Sequence, residues 1–399
     1  MPGYQDDPSK NNMYKIRRQC SFVAMRAKHF LLICVVAVFA ACRSARVATI
    51  QPASVGSIRF HDEYIIPHAA VFNGTRVGGL SGIDYDATRN NYYMICDDRS
   101  YYNASRFYTA DIRLNGYKID TCIFTAVTSL RKPAGDTFRL KEADPEAMRY
   151  LGTKDLLVWS SEGEREIKGD KKLLIDPWVW LSRRDGRFVD SFRLPANMRM
   201  QATPSGPRQN GTFEGLGFAD NQRTLWVSVE EPLYEDGPRA NINDTSAIVR
   251  FIKFDVATRQ PTGQFAYRVD PVPNKPNPEN AYRINGIPDI LPLGNDRFLV
   301  MERAFSVGIK GTVIRIYLAD ANGATDVSTI PSLQGKTEVQ LIRKQLLFDM
   351  ETMGRYIDNV EGMTFGPRLP NGHASLLLIA DDNFDKEEVS QLFLFEVLP

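Results

Sequence analysis

The chain has few histidines and almost no net charge, and each shortage argues against a class of function. Its four histidines show no HxH or HxxxH spacing, which argues against a histidine-rich zinc site. Lysine and arginine number 49 against 48 for aspartate and glutamate, so the formal net charge of +1 gives no reason to expect nucleic acid as a partner. A glycine-rich phosphate loop is also missing, which removes the usual nucleotide-binding motifs.

The beginning of the chain resembles an export signal. The apolar run FLLICVVAVFAA at 30–41 is too short to span a bilayer but suits the central region of a signal peptide. It meets Cys42 directly after two alanines, as in a bacterial lipobox. We therefore expect residues 1–41 to be a leader, Cys42 to carry lipid and residues 42–56 to form a linker. An ordinary signal peptide cut near Ala41, or a short buried core segment, is the alternative.

This leader has consequences for location and for the cysteines. Met25 opens a signal peptide of conventional length and is the expected initiator. A lipobox implies a bacterial protein held at the cell envelope by its lipid, in the periplasm or on the outer-membrane surface, and we expect a monomer. Cys96 and Cys122 are expected on strands that are not neighbours, too far apart for a disulfide, as two free and buried thiols.

Most of the remaining chain consists of one repeated pattern. Each copy has a short apolar strand, a turn and a second strand that ends in acidic residues, and further alternating strands follow it. The copies lie at 79–98, 144–163, 211–231, 284–303 and 358–382. Four strands recurring every 65–75 residues or so predict an all-β fold, a β-propeller of five four-stranded blades, or six if one blade has diverged.

The last repeat runs out of chain after three strands, and residues 57–67 could supply the missing outer strand. The sequence therefore predicts a propeller domain over 57–399 whose ring is closed by an N-terminal strand. A β-sandwich is the structural alternative, but it would not generate five copies of one motif.

The acids fall at corresponding places in the repeats. Strand one leaves one face of a propeller and strand two returns to it, so the start of the first and the end of the second should share one rim beside the central channel. Sixteen residues separate Glu146 from Glu162 and Glu214 from Glu230. The set predicted at this rim is Asp97, Asp98, Glu146, Glu162, Glu214, Glu230, Glu231, Glu302, Glu361, Asp381 and Asp382.

Carboxylates that face one another repel, and hard cations relieve the repulsion, so this rim predicts a calcium site with one or more Ca²⁺ ions. The alternative is that the acids face solvent or pair with Arg99, Arg165 and Arg303. The fourth repeat departs from the pattern, because Gly286 stands where a glutamate is expected and Asp289 is the candidate substitute.

Several motifs together resemble the phytase-like family described as "esterase-like activity of phytase". They are GGLSGIDYD, DPEAM with SSEG, FEGLGF with VSVEEPL, FLVMER, and NVEGMTFGPRLPNG with LLLIADDNF. The resemblance extends over about 77–398 and implies a propeller whose recurrent acids carry phosphoesterase-type chemistry. Ala147 departs from the family, which usually has glycine after the glutamate.

We therefore expect an exported, calcium-dependent hydrolase acting on a phosphorylated or other ester substrate. The candidate catalytic residues are Glu214, Glu361, Asp382 and Arg303, and the candidate metal ligands are Asp97, Asp98, Glu146, Glu162, Glu230, Glu231, Glu302 and Asp381. Two alternatives stay open: a non-enzymatic surface lipoprotein that binds a ligand or a protein, and a lactonase-like propeller with a single Ca²⁺.

Overall fold

A computed structural model describes Pro52 and residues 54–399. The predicted leader at 1–41, the lipidation site Cys42 and most of the predicted linker lie outside this part of the chain. Within it, no helix is long and apolar enough to cross a membrane.

Residues 54–399 are built from β-strands and three 3-10 turns, at Ala196–Met198, Tyr234–Asp236 and Met350–Met353, with no α-helix among them. The strands are β1 (Ser57–Ile66), β2 (Val71–Phe72), β3 (Thr75–Arg76), β4 (Gly82–Asp86), β5 (Asn91–Cys96), β6 (Arg106–Asn115), β7 (Lys118–Ser129), β8 (Pro145–Leu151), β9 (Leu156–Ser161), β10 (Glu164–Lys168), β11 (Lys171–Ile175), β12 (Trp178–Arg183), β13 (Phe188–Ser191), β14 (Phe213–Ala219), β15 (Thr224–Val229), β16 (Ile248–Asp255), β17 (Pro261–Arg268), β18 (Arg283–Gly294), β19 (Arg297–Ser306), β20 (Val313–Asp320), β21 (Arg343–Asp349), β22 (Asn359–Arg368), β23 (Ala374–Asp381) and β24 (Ser390–Leu398).

These strands form five four-stranded antiparallel blades. From the inside outward the blades are β4-β5-β6-β7, β8-β9-β12-β13, β14-β15-β16-β17, β18-β19-β20-β21 and β22-β23-β24-β1. The five inner strands contact one another in sequence, and β22 returns to contact β4, which closes a ring. The predicted propeller is therefore confirmed with five blades. The remaining strands of 54–399 form two separate hairpins, β2-β3 and β10-β11, and no sixth blade.

The N-terminal strand closes the ring, as predicted. β1 pairs antiparallel with β24, from Ser57 opposite Leu398 to Ile66 opposite Ser390. Both ends of the described chain are thus held in one sheet, so separation of the blades would require this pairing to break.

The blades pack face to face through apolar layers. In β5, five of the six residues are buried, because the sheet is covered by a neighbouring blade on each side. Tyr93 and Phe107 of the first blade pack with Met148 and Trp159 of the second. Between the third and fourth blades, the Trp226 and Phe298 rings meet edge to face with centroids 4.9 Å apart.

The cysteines follow the prediction in part. Cys96 lies on β5 and Cys122 on β7, with β6 between them, and both thiols are free. Cys96 is buried, whereas Cys122 is only half-buried, because it lies on the outermost strand of its blade.

One buried ion pair connects the inner strands of all five blades. The Arg149 guanidinium on β8 donates to both carboxylate oxygens of Asp289 on β18, at 2.8 and 2.7 Å. It also donates to the carbonyls of Ile83 on β4 and Leu216 on β14. Asp289 in turn accepts the Met363 N–H of β22 at 2.8 Å. The pair spans the channel and ties its walls together.

Asp289 therefore lies inside the ring but does not replace the missing glutamate at the rim. Burial raises its pKa to about 6, although Arg149 opposes that rise. Every polar group of this pair is satisfied across the channel, which is the condition under which a buried ion pair is tolerated.

Replacing Arg149 with methionine should destabilise the fold, because Asp289 would be left buried without its partner. The expected loss is about 3–5 kcal/mol in the free energy of unfolding, measured by urea denaturation. The matched control is Arg187→Met, which removes an exposed pair with Asp185 and should leave the midpoint nearly unchanged. A loss no larger than the control's would contradict the proposed role of the pair.

Candidate metal centre

Three glutamates are turned into the channel by irregularities of the inner strands. The β8–β9, β14–β15 and β22–β23 ladders each shift register near the start of the inner strand, at Glu146, Glu214 and Glu361. A β-bulge of this kind bends the strand and re-aims a side chain. The repeated E-G or E-A pair of the sequence is therefore the position of a bulge that directs a carboxylate inward.

Eight carboxylates, here called the acid ring, meet at this end of the channel. They form three groups whose ligand oxygens lie within 4.8 Å of one another. The groups are Asp97, Glu361 and Asp381; Asp144, Glu146 and Glu162; and Glu162, Glu214 and Glu230. Glu162 belongs to two groups, so the second and third blades share one continuous cluster.

The fourth blade contributes a cation to this ring. Arg303 donates to Glu230 at 2.7 Å, to Asn359 at 2.6 Å and to Glu361. Gly286, opposite Arg303 in the ladder, leaves the space for this arrangement, because a Cβ there would lie 2.6 Å from the Glu230 side chain. Gly286, which departs from the sequence pattern, thus leaves room for Glu230 beside Arg303, and the Arg303 guanidinium neutralises part of the ring's negative charge.

A second arginine lies at the edge of the ring. Arg99 contacts Asp144 at 2.5 Å and Glu164 at 3.5 Å, and about a quarter of its side chain is exposed. Pairing of strand-end acids with arginines, the alternative to a calcium site, is therefore seen for Arg99 and Arg303. Arg165 instead donates to main-chain carbonyls, including that of Gln201.

Burial and mutual repulsion raise the pKa values of most of the ring's carboxyl groups. Seven of the eight side chains are buried, and Asp97 is half-buried. Burial, reinforced by neighbouring carboxylates, raises the pKa values of Asp97, Glu146, Glu162, Glu214 and Asp381 well above the ordinary range. The pKa of Asp144 rises less, to about 6, because Arg99 opposes the effect of burial.

Several ring oxygens have no hydrogen-bond partner although they are buried. They are Oε2 of Glu162, Oε2 of Glu361 and both carboxylate oxygens of Asp381. A buried carboxylate left without a donor is costly, and a bound cation removes the cost. The candidate metal-ligand atoms are all carboxylate oxygens, with no histidine or cysteine in the three groups. Such a ligand set suits Ca²⁺ or Mg²⁺ better than zinc.

Four of the predicted acids lie outside these groups. Asp98 pairs with Arg106 at 2.7 Å, and Glu231 pairs with Arg239 at 2.7 Å. Asp382 accepts the main-chain N–H groups of Gly79 and Phe384, both at 3.1 Å. Glu302 accepts from Tyr267 of the third blade and from Asn285 and Lys344 of the fourth.

Strand geometry explains why most of these four acids do not join the acid ring. Successive side chains of an extended strand point to opposite sides, so only one of two consecutive acids can face the channel. In Asp97-Asp98, Glu230-Glu231 and Asp381-Asp382 the first acid joins the ring and the second does not. In the fourth blade the order is reversed, because Arg303 and not Glu302 reaches the ring.

Sequence reasoning missed Asp144. It precedes Glu146 by two residues in the DPEAM motif and joins Glu146 and Glu162 in one group. The same alternation could have found it, because residues two apart on a strand face the same side.

The comparisons with known proteins agree with this architecture. The family model "Phytase-like: Esterase-like activity of phytase" matches residues 75–384. The chain belongs to the phytase-like family. No curated protein matches the sequence.

Solved propellers are similar to the chain only distantly. The Dos1 propeller shares 8% identity over 79% of this chain and 67% of its own, with a TM-score of 0.31. An exo-β-1,3-galactanase from Phanerochaete chrysosporium shares 10% identity over 84% of this chain and 64% of its own (TM-score 0.42). A gluconolactonase from Xanthomonas campestris shares 10% over 86% and 99% (TM-score 0.34). None of these likenesses bears on the reaction.

The raised pKa values predict an unusual response of stability to pH. Ring carboxyls bind protons in the folded state at pH values where the unfolded chain, with carboxyl pKa values of about 4, has lost them. Their contribution to stability is therefore fully present below about pH 4 and is lost as the pH rises through the folded-state pKa values. The pKa of Asp144 is about 6, and burial also raises that of Glu162. In chelator, the melting temperature should fall from about pH 5 to about pH 7.5.

Added Ca²⁺ should reverse that fall, and its effect should be larger at the higher pH because calcium competes with protons for the same oxygens. Calorimetry of wild type and of Glu162→Gln, which removes one ring charge, gives the comparison, and the variant's melting temperature should depend less on pH. A melting temperature that rises with pH in chelator would contradict the assignment.

Proposed function

We propose that the protein is a calcium-dependent phosphoesterase whose active centre is the acid ring. The observation that carries the proposal is the set of buried carboxylate oxygens without donors on Glu162, Glu361 and Asp381. Membership of the phytase-like family supports ester hydrolysis as the class of reaction.

Two places in the ring fit a cation. One lies among Asp97, Glu361 and Asp381, and the other lies around Glu162, which faces either Asp144 and Glu146 or Glu214 and Glu230. Calcium bound there would polarise a P–O bond and lower the pKa of a water nucleophile.

Charge balance explains why a phosphate substrate requires that cation. The guanidinium groups of Arg303 and Arg99 lie beside the eight carboxyl groups. As these carboxyl groups lose their protons, the chamber becomes negative and repels a phosphate group. Once cations occupy the carboxylates, the same chamber attracts phosphate. Substrate binding and metal binding are therefore coupled.

Arg303 is suited to orient the substrate. Glu230 and Glu361 hold its guanidinium from two sides, while its Nε is buried and has no hydrogen-bond partner. A guanidinium fixed in this way presents a donor to a phosphate oxygen without having to reorganise. In this proposal Glu214, whose carboxyl group lies within 4.8 Å of those of Glu162 and Glu230, holds a proton because burial raises its pKa.

The site of action proposed for this enzyme is the bacterial cell envelope. A lipid on Cys42 would attach the propeller to a membrane through the 42–56 segment, and the substrate would then be a phosphate ester outside the cytoplasm. Calcium is abundant in such surroundings, which suits weak sites built from carboxylates.

Hydrolysis by the full-length chain in detergent tests the proposal. p-Nitrophenyl phosphate and bis(p-nitrophenyl) phosphate are offered with Ca²⁺ and with chelator, to wild type, Asp381→Asn and Glu162→Gln. Each variant removes a ligand charge and should lose about 100-fold in kcat/KM, with a higher half-saturating Ca²⁺ concentration. Glu338→Gln, an exposed acid away from the ring, is the matched control and should keep full activity.

Three results would contradict the proposal in different ways. Turnover that survives chelator would exclude a metal-dependent reaction. Calcium that raises the melting temperature without any hydrolysis would indicate a binding lipoprotein with structural ions. Opening of a lactone, in place of phosphate release, would favour the lactonase-like alternative.

A further inference from the structure

Two adjacent tyrosines stand exposed at the channel mouth. Tyr101 is 75% exposed and Tyr102 is 50% exposed, and both lie in the loop from β5 to β6 that follows Asp97. Their rings meet edge to face with centroids 5.5 Å apart. Large aromatic side chains exposed side by side mark a binding surface more often than chance.

A buried ion pair holds this loop in shape. The Asp98 carboxylate accepts the N–H groups of Tyr101, Tyr102 and Asn103 and pairs with Arg106 at 2.7 Å. Asp98 and Arg106 are 3% and 1% exposed. The two rings are therefore presented on a fixed backbone, so a ligand that stacks on them pays little entropy to order the loop.

The tyrosines adjoin the acid ring through Phe384. The Tyr102 ring lies 4.8 Å from that of Phe384. Phe384 in turn borders Asp97 across Gly79, because a Cβ on that glycine would overlap both the Phe384 ring and the Asp97 carboxylate. A ring stacked on the tyrosines would thus lie beside the group formed by Asp97, Glu361 and Asp381.

A positive charge accompanies the aromatic rings. The Arg76 guanidinium lies 5.1 Å from the Tyr102 ring and 5.3 Å from the Phe384 ring. Its Nη2 donates to the Phe384 carbonyl at 2.6 Å, while its Nε is buried without a partner. The surface therefore offers aromatic faces and a cation together, a combination suited to a flat, electron-rich ring.

We infer that Tyr101 and Tyr102, here called the tyrosine rim and supported from behind by the buried Phe384 ring, bind the planar ring of the alcohol part of a phosphate ester, as in a nucleoside monophosphate. The inference rests on the proposed function for the phosphate end. The nucleobase stacks on the tyrosine rim while the phosphate extends into the acid ring. Every nucleobase can stack on an aromatic side chain, so this subsite recognises a flat ring without distinguishing one base from another.

Calorimetric binding to the full-length protein with Ca²⁺ tests the inference without requiring turnover. Adenosine 5′-monophosphate and ribose 5-phosphate are compared, since they differ by the base alone. The monophosphate should bind at least about tenfold more tightly, and Tyr102→Ala and Tyr101→Ala should each remove most of that preference. Tyr117→Ala, at the other end of the first blade, is the matched control and should retain it.

The outcomes separate this inference from the proposed function. A tyrosine-dependent preference for the nucleotide without hydrolysis would support nucleobase binding by the tyrosine rim and refute the proposed phosphoesterase activity. Equal hydrolysis of both compounds, with equal affinity, would support the phosphoesterase and overturn the rim. Failure of the nucleotide to bind, or a preference that survives both alanine variants, would also overturn it. Unchanged melting temperatures would show that the variants are folded.

Discussion

The Arg149–Asp289 ion pair is the interaction on which the geometry of the channel depends. Its two side chains come from the second and fourth blades, and their hydrogen bonds reach the inner strands of the first, third and fifth. A five-bladed ring has a narrow centre, and apolar side chains alone would leave its walls free to shift. A charged pair satisfied on every side fixes the distance between opposite blades.

Because the walls are fixed in this way, the acid ring can hold carboxylates close together despite their mutual repulsion. Burial and repulsion raise the pKa values of Glu162, Glu214 and Asp381, so this end of the channel stores unfavourable electrostatic energy. Such storage is typical of functional sites, where a ligand relieves it. The blades' apolar layers and the β1–β24 closure provide the stability that offsets this cost.

The fourth blade shows how a break in a repeat can be part of the site. Its Gly286 removes a carboxylate and a side chain from the rim, and Arg303 occupies the region between Glu230 and Glu361. The result is an asymmetric ring with carboxylates from the first, second, third and fifth blades and a guanidinium from the fourth. A symmetric ring of acids would bind cations equally well but would offer phosphate no fixed donor.

The first blade adds a second asymmetry. Asp98, one of the acids expected at the metal site, is instead used to build the loop that displays Tyr101 and Tyr102. Consecutive acids at a strand end thus serve two purposes, one in the channel and one in a loop beside it. This division is what connects the tyrosine rim to the acid ring.

The sequence alone determined the five repeats, the closing strand and the convergence of strand-end acids, because these follow from strand period and from the alternating direction of strands in a blade. It predicted Asp97, Glu146, Glu162, Glu214, Glu230, Glu361 and Asp381 at one rim, where the structure brings them together. Only the tertiary structure decided that Asp98, Glu231, Glu302 and Asp382 turn away and that Asp289 pairs with Arg149. Those outcomes depend on which side of a strand faces the channel and on contacts between blades more than sixty residues apart, and local sequence patterns carry neither.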